Sequence, residues 1–212
     1  MTRAREALLA QLQTICRSAR GDGSEARPAL ATGFRELDAA LPGGGWPRAA
    51  ITELMPEVAG IGELSLLLPA LARLAASGRY LAWVAPPYVP YAPALAGRGI
   101  PLERLLLIRT ADEHTALWAA EQLLRCAHIG AVLAWPLTLD ERRVRRLQLA
   151  AEAGGGCGML YRPARAALTH SPAALRLGLA PTRAGLAIHI KKSRSGATHR
   201  AVVVPALAAT AI

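Results

Sequence analysis

At 212 residues, 52% of them apolar, the chain is long enough for one sizeable α/β core with a small appendage, which excludes general disorder. No uninterrupted apolar run approaches the roughly 20 residues that cross a bilayer, and the charged start MTRAREALLAQLQ lacks the apolar stretch of an export signal, so a cytoplasmic protein with no membrane contact is expected. The formal charge of +10 is uneven: residues 1–141 hold 13 Lys/Arg against 14 Asp/Glu, residues 142–212 hold 12 against one, Glu152, and the last third therefore points to a polyanion, either nucleic acid or an acidic protein.

Ala4, Leu8, Leu12, Ile15 and Ala19 recur near the 3.6-residue period, predicting an amphipathic helix over 2–19. The polar, Gly- and Pro-bearing stretch 21–28 reads as a linker, which divides the chain into an arm (1–28) and a core (29–212). A short helix over 32–41 is stopped by PGGGWP. Strands and helices then alternate: strand 49–54, helix 63–76, strands 80–85 and 105–108, and a helix from about 113 to 127 behind a capping box of Thr110 and Glu113. Strand 131–135, a basic helix over 140–153 ended by GGG, and strand 158–161 complete the alternation. Strands 175–179, 186–191 and 201–204 follow without helices between them. This order predicts a mainly parallel sheet between helices, with antiparallel strands added at one edge.

The run ELMPEVAGIGELSLLL (53–68) has the layout of a phosphate-binding loop: strand end, glycine loop, helix start. In the pattern G-x-x-x-x-G-K-S/T the loop amides cradle phosphate, the Lys neutralises it and the hydroxyl holds magnesium. Here Gly60 and Gly62 remain, Glu57 replaces the first glycine, Glu63 stands in place of Lys, and Leu64 replaces the hydroxyl. A carboxylate repels a triphosphate and Leu cannot hold a metal, so the loop reads as kept for shape, with no nucleotide cofactor and no catalysis.

Arg142, Arg145 and Arg146 share one helix face while Val144 and Leu147 turn inward, which suits phosphate contact or a solvated face. The five His show no ligand spacing, so no metal site is expected. Cys16, Cys126 and Cys157, odd in number and widely spaced, read as reduced thiols. Trp83, Trp118 and Trp135 read as core, and Trp46 in the glycine turn as a contact residue. Pro87, Tyr88 and Tyr91 belong to a Pro-stiffened loop, PPYVPYAP, suited to a partner surface.

The blocks ATGFRELDAALPGGGWPRAAITEL, WVAPP, PYAPAL, LWAAEQ, RRLQLAAE and SPAALRL stand in the order of a RecA-type core and most resemble the ImuA group, RecA-like proteins of bacterial damage-induced mutagenesis. SulA, the cell-division inhibitor that binds FtsZ, is a more distant relative and the alternative. The resemblance implies a RecA-like α/β core acting as a non-catalytic scaffold in SOS translesion DNA synthesis. Its implied partners are ImuB, an error-prone DNA polymerase III-type alpha subunit, RecA and single-stranded DNA. It also implies a disabled ATPase, with Glu63, Leu64, Pro87 and Trp135 at positions that serve catalysis in the recombinase. By the same resemblance Lys192 and Arg194, in the KKSR hairpin, match residues that reach a neighbouring protomer's nucleotide and become a candidate RecA interface. Arg162 and Arg165, with His170, fall in the segment that matches a DNA-facing loop.

Overall fold

The computed structural model describes residues 29–193 and 200–205, together with 6, 9, 10, 13 and 14, which are helical. The linker 21–28 and most of the arm lie outside the described residues, as does Arg194.

Eight strands form one sheet: β1 (Ala50–Pro56), β2 (Tyr80–Val84), β3 (Leu105–Ile108), β4 (Ile129–Ala134), β5 (Cys157–Tyr161), β6 (Leu175–Thr182), β7 (Gly185–Lys192) and β8 (Arg200–Val204). Their spatial order is β3-β2-β4-β5-β1-β6-β7-β8. The first six run parallel, and β7 and β8 extend the sheet antiparallel, in agreement with the pattern of the sequence. β4 and β5 are buried along their whole length, as parallel strands covered on both faces must be.

The covering helices are α1 (Arg35–Ala40), α2 (Leu68–Ala76), α3 (Ala92–Ala96), α4 (Glu113–Arg125) and α5 (Glu141–Gly154). Leu37 of α1, Leu71 of α2 and Leu95 of α3 pack with Leu54, Trp83 and Leu133 on one face. Leu123 of α4 and Leu147 of α5 pack with Ile51, Ala82 and Val132 on the other. The alternation of inward side chains along each strand thus feeds two separate cores.

Several details differ from expectation. Helix α2 begins at Leu68, not at residue 63; residues 63–67 are turns. Pro69 sets this limit, because proline is tolerated only in the first helical turn. The cap of α4 is Asp112, which accepts from the Thr115 amide at 2.8 Å, and not Thr110. Glu113, instead of reaching back, accepts from the amide and hydroxyl of Thr138, each at 2.8 Å, and so ties down the connection after β4. Trp46 is fully buried beside a two-way backbone bridge to Leu30, so it belongs to the core and offers no contact surface. Cys126 is disulfide-bonded, not a free thiol.

Cys157, in β5, is free and buried. Burial pushes its thiol up to about 11, with the Arg48 cation acting weakly the other way. A raised value means that folding favours the neutral thiol. That contribution is complete below the ordinary value of 9.0 and is lost as pH rises through about 11. At pH 8 the native protein is expected to leave Cys157 unreacted with Ellman's reagent until denaturant is added. Equal labelling rates in native and denatured protein would contradict this burial.

Candidate functional site

The connection after β1 turns on Gly60 and Gly62, whose φ angles of 83° and 94° only glycine adopts at little cost. The Glu63 carboxylate folds back and accepts from the Gly60 amide at 2.9 Å. A side-chain anion therefore occupies the loop's own amide. At about 4 Å and an effective dielectric near 20, a second anion placed beside it would meet a repulsion of about 4 kcal/mol per charge pair. Leu64 and Ile61 pack half-buried against the α1/α2 core. Beneath the loop, the Tyr161 hydroxyl donates to the Glu63 carbonyl at 3.1 Å, and Trp135 stacks on the Tyr161 ring at 4.9 Å and 7°. Trp83 meets Trp135 edge-on at 6.2 Å. Burial, and secondly the Glu63 charge, raise the Tyr161 phenol well above its usual range, so it remains a donor. Glu57, outside this knot, is exposed.

A second constellation lies inside the protein. Glu53 of β1 is wholly buried; one carboxylate oxygen accepts from Arg162 at 2.7 Å and Ser171 at 3.0 Å, the other from Arg176 at 2.6 Å. The two guanidinium groups also donate to backbone carbonyls: Arg162 to Leu139 (2.8 Å), and Arg176 to Thr169 (2.8 Å) and Ala166 (2.6 Å). Arg162 was expected to face DNA. It is instead 7% exposed, and it fastens the segment 162–174 to the sheet. Of that segment's candidate cations, Arg165 points outward, and His170 stands 3.5 Å from Glu141.

On α5, Arg142, Arg145 and Arg146 are exposed and Val144 and Leu147 buried, as the helical spacing requires. Arg146 is held by Glu121 of α4 at 2.5 Å, and Glu121 also pairs with Arg125 at 3.0 Å. Lys192, half-buried at the end of β7, donates to the Ser171 carbonyl at 2.7 Å. Pro87, Tyr88 and Tyr91 are exposed in the connection after β2, Tyr88 by 79%.

The sequence reading missed a cleft of about 250 Å³ at the carboxyl ends of β2 and β4, floored by Val84, Ala134 and Trp135 and rimmed by Asp112, Glu113 and Leu137. It opens because β2 leads to α3 on one face of the sheet, while its neighbour β4 leads to α5 on the other. Such divergence of adjacent connections leaves a crevice outside the strand ends. Strand order is not visible in the sequence, so neither was the crevice. Among the described residues no group of side chains is arranged to hold a metal, and no helix is long and apolar enough to cross a membrane.

Three kinds of similarity bear on this arrangement. The family model described as cell division inhibitor SulA matches residues 51–158, just over half the chain. A cell division inhibitor SulA of Edwardsiella piscicida is 39% identical over 103 residues, 47% of this chain and 60% of that protein. Protein ImuA of Caulobacter vibrioides is 31% identical over 138 residues, 63% of this chain and 57% of that protein. The chain thus spans somewhat over half the length of these relatives. The crystal structure of SulA from Pseudomonas aeruginosa aligns with 28% identity and a TM-score of 0.46, covering 55% of this chain and 99% of that one.

Proposed function

The chain belongs to the SulA family, and from that premise we propose that it is a RecA-like, non-catalytic accessory protein of damage-induced mutagenic DNA synthesis. The observation that carries the non-catalytic half is the loop after β1: its amide is taken by Glu63 and its space is backed by Leu64, Tyr161 and Trp135. A site filled by its own side chains suits a protein that binds others through its shape. The similarity to ImuA supports the mutagenic half, since it runs over 138 residues against 103 for the SulA relative.

In this reading the exposed loop with Pro87, Tyr88 and Tyr91 holds ImuB or the error-prone polymerase subunit. Lys192, with Arg194, faces RecA. Arg142, Arg145 and Arg165 are the cations open to single-stranded DNA; Arg162 is withdrawn from that role by its bond to Glu53. Work in the cytoplasm follows from those partners.

The alternative is a SulA-like inhibitor that binds FtsZ, favoured by the family model over 51–158 and by the 39% identity. One paired experiment in the cell that encodes the chain separates them. Deleting it is expected to reduce ultraviolet-induced drug-resistant mutants to the uninduced frequency, and overproducing it is expected to leave cell length unchanged. Unaltered mutagenesis together with filamentous cells would replace the proposal by the division-inhibitor reading.

A further inference from the structure

Large apolar side chains in contact with water are not spread evenly over this molecule. Among the described residues the six most exposed are Leu168 (91%), Tyr88 (79%), Leu137 (70%), Val89 (69%), Tyr91 (60%) and Val58 (58%). All stand in the connections that leave the carboxyl ends of parallel strands along one edge of the sheet: Val58 after β1, Tyr88, Val89 and Tyr91 after β2, Leu137 after β4 and Leu168 after β5. The cleft between β2 and β4 opens on the same edge, with Leu137 in its lining and an apolar floor. An apolar concavity on an edge that also exposes aromatic and aliphatic side chains has the form of a protein-binding site.

Charge identifies the occupant. The chain carries 25 Lys and Arg, yet the connections 57–67, 85–91 and 135–140 contain none of them. They contain Glu57, Glu63 and Asp140, and the only charged residues lining the cleft are Asp112 and Glu113. The cleft and these three connections thus carry carboxylates and no cation, while Arg109 after β3 and Arg165 after β5 stand exposed in the flanking connections. A cleft lined this way disfavours acidic segments and attracts the opposite sign.

We infer that this edge docks a protein segment that inserts an apolar side chain into the cleft between β2 and β4 and sets Lys or Arg beside Asp112 and Glu113. The inference rests on the proposed accessory role to the extent that the segment belongs to a functional partner. It also extends the partner surface beyond Tyr88 and Tyr91 to Val58 and Leu137, and it gives the partner's chemistry.

The test uses three fluorescently labelled 12-residue peptides, Leu/Arg, Ala/Arg and Leu/Glu, titrated with the full chain and read by anisotropy. The Leu/Arg peptide is expected to bind at least tenfold more tightly than either of the others. Leu137→Arg and Tyr88→Arg, both at exposed positions that leave the core intact, are each expected to weaken it at least tenfold. Absence of binding, equal affinity for Leu/Arg and Leu/Glu, or binding untouched by Leu137→Arg overturns the inference. In cells, Leu137→Arg at normal abundance is expected to lose induced mutagenesis. Retained mutagenesis with that variant removes the docking edge and leaves the accessory role. A deletion without a mutagenesis phenotype removes the accessory role and leaves the peptide result to stand on its own.

Discussion

Glu53→Ala is expected to be among the most destabilising single substitutions in the protein, by about 3–5 kcal/mol, because it strands two buried cations. Arg162 and Arg176 are 7% and 6% exposed and both take their counter-charge from Glu53. For a chain of this size that loss corresponds to a fall in Tm of roughly 10 °C, readable by circular dichroism. A simple exchange of the cluster for apolar residues does not rescue it. Arg162 and Arg176 also donate to the carbonyls of Leu139, Thr169 and Ala166, and a buried carbonyl that loses its donor costs about 1–3 kcal/mol. The combined variant Glu53→Leu, Arg162→Met, Arg176→Met is therefore expected to remain well below wild type. A Glu53→Ala protein that melts within 2 °C of wild type would mean that the cluster does not hold the segment 162–174.

Gly154→Ala comes second. A Cβ on this residue, the last of α5, would lie 2.0 Å from the Leu124 carbonyl oxygen and 2.9 Å from the Arg125 carbonyl carbon, both backbone atoms that no rotamer change can move. Alanine brings a helix-propensity gain of about 1 kcal/mol. Overpacking against rigid backbone costs about 1–3 kcal/mol or more, and here it wins. The neighbouring Gly155 is the control: its φ of 74° makes it a left-handed cap whose amide donates to Ala151. Gly155→Ala is expected to cost about 1 kcal/mol from conformation alone. Chemical denaturation of both variants should rank Gly154→Ala as clearly less stable. The reverse order would show that α4 and α5 separate at this contact without penalty.

These two sites also show what could be read before the structure and what could not. Strands β1 to β8 were legible because buried parallel strands leave apolar runs, and the change from alternation to consecutive strands announced the antiparallel edge. Helix α5 was legible because Val144, Leu147 and Ala151 fall on one stripe. The start of α2 was misplaced although Pro69 marked it, because the apolar run LSLLLPALARLAA continues through both turn and helix. Arg162 was misjudged because the segment it opens resembles a DNA-facing loop. The contrary signal was Glu53, a lone charge in the apolar strand AITELMP, which had to find cations inside the protein. The partners it found lie 109 and 123 residues away, and sequence order alone does not pair them. The cleft depended on which strands are neighbours, and the exposed edge on which connections lie together.

Helix α5 carries a further consequence. Its first turns hold Arg142, Arg143, Arg145 and Arg146, at the end where aligned peptide units already concentrate positive potential. Arg142 and Arg143, in the first turn, each weaken the helix by about 0.3–1 kcal/mol when salt is low, and the effect fades beyond that turn. Asp140 and Glu141 offset part of this from the cap and the first turn, and Glu121 engages Arg146 from α4. What remains is a local excess of like charge that the fold tolerates and does not cure. Dissolved anions relieve it by screening, so this helix is expected to firm up as ionic strength rises, unlike its ion pairs from Arg143 to Asp140 and from Arg146 to Glu121, which the same salt weakens.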